Sequence, residues 1–68
     1  MPSTVIRSFQ YAADRGELLI EFQSGRRYVY LDVPEPVYAA MKRAFAKGEF
    51  FNSRIRNHYR FEQRSEHD

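Results

Sequence analysis

The stretch Phe22-Gln23-Ser24-Gly25-Arg26-Arg27-Tyr28-Val29-Tyr30 constrains this chain more than any other. It reads as the end of one β-strand, a tight glycine turn and a second strand, because glycine alone accepts the positive φ such turns need at no steric cost. Upstream, Glu17 to Gln23 alternates strictly, with Leu18, Ile20 and Phe22 on one face and Glu17, Leu19, Glu21 and Gln23 on the other. Loop length decides where the tyrosines point. A two-residue Ser24-Gly25 loop sets Glu21 opposite Tyr28 and Leu19 opposite Tyr30, away from the apolar face. A three-residue Gln23-Ser24-Gly25 loop pairs Ile20 with Tyr28 and Leu18 with Tyr30. One residue of slip reverses every side chain of the strand. Turn chemistry favours the three-residue loop, with Gly25 at its last position.

Around this hairpin the remaining elements fall into order. Residues 3–11, with Val5, Ile6, Phe9 and Tyr11, predict a first strand of imperfect alternation, joined to the second by Ala12-Ala13-Asp14-Arg15-Gly16. Arg26 to Asp32 is the third strand. Pro34 and Pro36 then mark a helix start, with Glu35 at the positive end of its dipole. Val37, Ala40, Met41, Ala44 and Phe45 give that helix an apolar stripe, Lys42, Arg43 and Lys47 gather near its end, and Gly48 is its expected terminator. A second, shorter helix is expected from Phe51, Ile55 and Tyr59 at four-residue spacing. Asn52 and Ser53 are expected in structural hydrogen bonds, at a cap or to a neighbouring backbone. The fold class is therefore α+β: a three-stranded antiparallel meander followed by two short helices packed on one face. The domain spans residues 3–61, and residues 62–68 form a polar, frayed tail.

With 68 residues there is room for one domain and a small core. Five Tyr and six Phe are an efficient way to fill it. The absence of cysteine removes disulfides and thiolate zinc sites and fits a reducing compartment. No apolar run approaches the roughly 20 residues that span a bilayer, and Met1-Pro2-Ser3-Thr4 lacks signal-peptide character. A soluble, cytoplasmic protein without membrane contact is expected.

The net charge of +2 conceals an asymmetry. Residues 1–41 carry four arginines against five acids, whereas residues 42–64 carry seven basic residues against Glu49 and Glu62. Such a concentration attracts phosphate or an acidic protein surface. Arg54, Arg56, His58 and Arg60 surround Ile55 and Tyr59, with Lys47 nearby in sequence. Guanidinium groups give phosphate two parallel hydrogen bonds, and on a helix Arg56 and Arg60 would be i, i+4 neighbours. A solvated face is the plainer explanation of the same charges. Tyr28 and Tyr30 share one strand face and could stack on bases; the plainer explanation makes them core residues with hydroxyls at the rim.

No enzyme constellation is evident. Only His58 and His67 are histidines, and no serine lies in a Gly-x-Ser-x-Gly setting. The acids are scattered, so neither a catalytic site, a metal site nor a cofactor is expected; a relay from His58 to Asp32 or Glu62 would be indistinguishable from isolated surface residues.

In sum the pattern resembles the KTSC domain, a small module named for its place at the carboxyl end of some lysyl-tRNA synthetases and also found alone. The resemblance rests on Ser3, Ile6, Tyr11, Leu18, Ile20, Phe22 and Gly25, then the Tyr28-x-Tyr30 pair, Val33-Pro34, Val37-Tyr38 and Ala44. It closes on Gly48, Phe50-Phe51-Asn52, Ile55-Arg56 and Tyr59. Gln10, Ala12 and Ala46 depart from the usual glycine, aspartate and serine. For function the resemblance implies RNA binding. The expectation is thus a non-enzymatic module that binds RNA or another nucleic acid. Its candidate contacts are Tyr28, Tyr30, Lys47, Arg54, Arg56, His58, Tyr59 and Arg60. The alternative is an adaptor docking on an acidic partner, such as a synthetase or the transcription or translation machinery.

Overall fold

The computed structural model describes residues 6–64; Ser3, Val5, His67 and the tail beyond Arg64 lie outside them. Strands β1 (Ile6–Ala12), β2 (Glu17–Phe22) and β3 (Arg27–Tyr30) form the expected meander. Helix α1 (Glu35–Arg43) follows, then α2 (Lys47–Phe50), which runs on as a π-helical turn over Phe51–Ile55. A fourth strand, β4 (Phe61–Gln63), closes an antiparallel sheet of order β1-β2-β3-β4.

The central hairpin has the three-residue loop. Leu18 pairs with Tyr30 and Ile20 with Tyr28, which places both tyrosines on the apolar face. The Gly25 N–H donates to the Phe22 carbonyl at 2.9 Å, and the Phe22 N–H donates to the Arg26 carbonyl at 2.9 Å. Gly25 has φ +95°, a conformation that leaves glycine as the residue of choice. The imperfect alternation of β1 is a β-bulge between Ile6 and Ser8. The extra residue lets Ile6, Phe9 and Tyr11 lie opposite Phe22, Ile20 and Leu18, so all six share the core face.

On that face Leu18, Ile20, Tyr30, Val33, Met41, Phe51 and Ile55 form the buried cluster. Helix α1 is fastened by Tyr38, whose ring stacks on Tyr11 at 4.7 Å and meets Phe9 edge-on at 6.0 Å. The Tyr11 hydroxyl donates to the Val33 carbonyl at 2.6 Å, which ties β1 to the β3–α1 connection.

Several expectations are corrected. The sheet has four strands, because Phe61–Gln63 leaves the segment read as domain end and tail and pairs with β3: Tyr30 with Phe61, Val29 with Glu62, Tyr28 with Gln63. Helix α1 stops at Arg43, not Gly48, since Ala44 turns extended (ψ 136°) and Lys47 Nζ donates to the Ala44 and Lys42 carbonyls at 2.5 and 3.3 Å. That ammonium satisfies carbonyl ends that glycine-type caps otherwise serve. Gly48 lies within α2, and Phe45, expected in the apolar stripe, is 103% exposed in the interhelical loop. The second helix ends at Ile55, so Tyr59 is packed against the core from beyond it. Asn52 and Ser53 do take the expected structural hydrogen bonds, though not as caps: Ser53 Oγ donates back to the neighbouring Glu49 carbonyl at 3.0 Å, and Asn52 Oδ1 accepts from Arg56.

Candidate functional site

The loop that fixes the β2–β3 register also shapes a cleft. Its walls are five aromatic rings in continuous contact. Phe22 meets Tyr28 edge-on at 5.6 Å and Phe51 edge-on at 5.4 Å, and Phe51 meets Tyr30 edge-on at 5.4 Å. Phe61 lies against both tyrosines, with centroids 5.3 Å from each, nearly parallel to Tyr28 (15°) and tilted from Tyr30 (32°). Edge-to-face and offset-stacked geometries at these separations are the favourable ones for aromatic quadrupoles.

The concave site measures about 600 Å³, within the range of small-molecule sites. Its rim is polar: Gln23, Ser24 and Arg26 from the hairpin loop, and Arg56 and Asn57 from the turn after α2. That turn exists because the π-helical stretch closes with the Arg56 N–H on the Phe51 carbonyl (2.8 Å), after which Arg56 is extended and Asn57 left-handed at φ +69°. Asparagine is among the few non-glycine residues enriched there. The chain then returns alongside β3, where the Leu31 N–H donates to the Arg60 carbonyl at 2.8 Å.

Among the described residues no carboxylate lines this cleft, and its charged members are two arginines. Neither Arg26 nor Arg56 forms an ion pair among the described residues. Burial pushes the Tyr30 phenol above its usual pKa of 10.0; neighbouring Tyr28 adds to the rise and Arg56 opposes it. The cleft can therefore accept a flat, apolar-faced group flanked by negative charge.

Of the eight candidate residues, Tyr28, Tyr30 and Arg56 come together here. The others do not line the cleft. Lys47 is engaged at the carboxyl end of α1, Arg54 places its guanidinium 5.6 Å from the Phe50 ring centre, and Tyr59 packs against the core. His58 and Arg60 are exposed on the returning segment. Arg56 and Arg60 are not helical neighbours, because the helix ends before either. Phe22, Phe51, Phe61, Arg26, Gln23, Ser24 and Asn57 line the cleft without having been singled out as site residues. The three-residue loop already implied Phe22 and Arg26, since it sets them beside the tyrosines' end of the hairpin.

The opposite sheet face is different in kind. There Arg27–Glu21 (3.9 Å), Arg15–Glu17 (3.6 Å) and Arg64–Glu62 (3.4 Å) pair opposite charges at the surface. No group of three or more His, Cys, Asp or Glu among the described residues could hold a metal ion, and no described helix is long and apolar enough to cross a membrane.

A small antiparallel sheet with two short helices on one face and an aromatic cleft at the loop end of its central hairpin defines a compact α+β module. The chain belongs to the KTSC domain family, which its residues 2–59 match. It is similar to a crystal structure of a KTSC domain protein from Yersinia pestis, with a TM-score of 0.85 and 32% identity over 93% of this chain and 89% of that one. It is also 40% identical over 62 residues to a lysine–tRNA ligase of Nostoc punctiforme and 33% identical over 60 residues to one of Nostoc sp.. These matches take in 91% and 88% of this chain but span 11% of each ligase.

Proposed function

We propose that this chain is a small, non-catalytic, cytoplasmic module that binds single-stranded RNA at the aromatic cleft. The observation that carries the reading is the cleft itself, with five rings in its walls, two arginines on its rim and no acid among its described lining residues. Aromatic faces and guanidinium groups are the parts from which single-strand sites are made, the rings taking unstacked bases and the cations the backbone. Gln23, Ser24 and Asn57 offer amide and hydroxyl groups for base edges. Duplex would not fit this chemistry, because a stacked base has no free face to present. The similarity to ligases whose name specifies tRNA supports the same direction, and a chain without cysteine suits the reducing cytoplasm.

The test is fluorescence anisotropy with a short, labelled, mixed-sequence single-stranded RNA over a range of salt. Two phosphate contacts on single strands give a slope of about −1.4 in log K against log salt, a loss of about sevenfold between 50 and 200 mM. Replacing Arg26 and Arg56 by alanine together should flatten that slope. Absence of wild-type binding at low salt, or a salt-independent affinity, would rule the reading out.

A second reading, a protein-docking adaptor, has one observation in its favour. Phe45 projects fully into solvent beside exposed Lys42 and Arg43, a combination suited to an acidic partner with an apolar pocket. Recovery of a single protein partner that survives nuclease treatment and is lost with Phe45→Ser would favour it.

A further inference from the structure

Stacking needs a bare ring face, and Phe61 offers more exposed ring than either tyrosine. Tyr30 is 3% exposed, with the Phe51 ring nearly perpendicular to it and the Phe61 ring tilted against it. Tyr28 is half-buried, with the Phe22 ring perpendicular to it and the Phe61 ring nearly parallel. Phe61 covers both, yet is itself 52% exposed. Its position is set by register, since pairing with Tyr30 across β3 and β4 turns it to the cleft side of the sheet. It is the outermost ring of an existing stack, and it belongs to a strand beyond the part of the chain that matches the family, residues 2–59.

We infer that Phe61 is the residue on which a nucleobase stacks, with Tyr28 and Tyr30 serving to hold its inner face. This rests on the RNA-binding reading above and names the contact residue within it. A bound base extends the series Tyr28–Phe61 by one layer. Arg26 and Arg56 lie on the same rim as Phe61 and take the phosphates on either side of that base. The arrangement explains why a large apolar ring stands half in water on a three-residue edge strand whose other members are polar. A ring meant only to close the core would be covered.

The experiment compares wild type with Phe61→Ala, Phe61→Leu and Phe61→Trp, using the same short single-stranded RNA. Base stacking on one aromatic side chain corresponds to an affinity change of about 5- to 150-fold. Alanine and leucine should each lose about that factor while keeping the wild-type salt slope, because the phosphate contacts remain. Tryptophan should retain or exceed wild-type affinity. Leucine separates stacking from simple apolar packing, and amide spectra of the β3–β4 pairs establish that the strand stays docked. Ultraviolet crosslinking of the RNA to wild-type protein should map to the peptide carrying Phe61. Unchanged affinity in Phe61→Leu would overturn the inference, and tighter binding by Phe61→Ala would show the ring to be a cover over the tyrosines instead. If wild type itself bound no RNA, the functional reading would fall first and this inference with it.

Discussion

Phe51 joins the core to the cleft, and its replacement tests whether the aromatic walls are a packed network or an accidental cluster. The side chain is 3% exposed and meets both Phe22 and Tyr30 edge-on at 5.4 Å. Leucine preserves apolar burial but removes both ring pairs, each worth about 0.5–1.5 kcal/mol beyond area, so Phe51→Leu should cost about 1–3 kcal/mol. Alanine adds a cavity, and such changes cost about 3–5 kcal/mol. Against a total of roughly 3–10 kcal/mol for a domain of 68 residues, the alanine variant should lose about a third of its stability or more and the leucine variant should stay folded but weakened. Urea denaturation followed by circular dichroism measures both. In heat, each kcal/mol should appear as a fall of about 4–8 °C in Tm. A double-mutant cycle of Phe22→Leu with Phe51→Leu isolates the one contact they share, with an expected coupling of about 0.5–1.5 kcal/mol. A cost for Phe51→Leu below about 0.5 kcal/mol, the size of a neutral surface change, would refute the network argument.

Three further expectations are independent of this one. Gly25→Ala should destabilise by about 1 kcal/mol through its positive φ alone, because an added Cβ meets nothing within 4 Å; a neutral result in urea would show that the loop relaxes. Lys47→Met should lose about 0.5–1 kcal/mol from the carboxyl end of α1 and leave RNA affinity at the wild-type value, whereas a binding defect would return Lys47 to the interface. Because the Tyr30 phenol is raised by burial, the folded state holds that proton more tightly than the unfolded state. Its contribution is therefore complete below the ordinary value of 10.0 and fades as pH climbs through the folded one. Urea midpoints of Tyr30→Phe should fall less steeply at alkaline pH than those of wild type, and parallel profiles would assign the alkaline loss to other groups.

How much was legible in the residues depended on how local the deciding contacts were. The β2–β3 register is narrowed to two options, and turn chemistry at Gly25 favours the three-residue loop that the structure has. The end of α1 could not be read, since the apolar period of Val37 to Phe45 continues past the point where Lys47 closes the helix from outside. The pairing of Arg56 with Arg60 failed for a related reason. An i, i+4 spacing implies helix, but the π-helical turn exhausts the helix at Ile55 and leaves both arginines beyond it. Strand β4 carried the weakest signal of all. Phe-Glu-Gln is too short to show a period, and its ring contacts lie with Tyr28 and Tyr30, some thirty positions upstream.

That long-range contact removes the choice the tyrosine pair first posed, between core and binding platform. Two stacked layers can divide the tasks, the inner rings bearing the packing and the outer ring the ligand. Tyr30 sits within the buried cluster and Phe61 stands half outside it. Substitution at position 30 should then weaken the fold before binding can be scored, while substitution at 61 should weaken binding with the fold intact. A survey of truncations at Tyr30 alone would find destabilised proteins and mistake a layered site for a purely structural one. The exposed ring on the edge strand is where the two contributions separate.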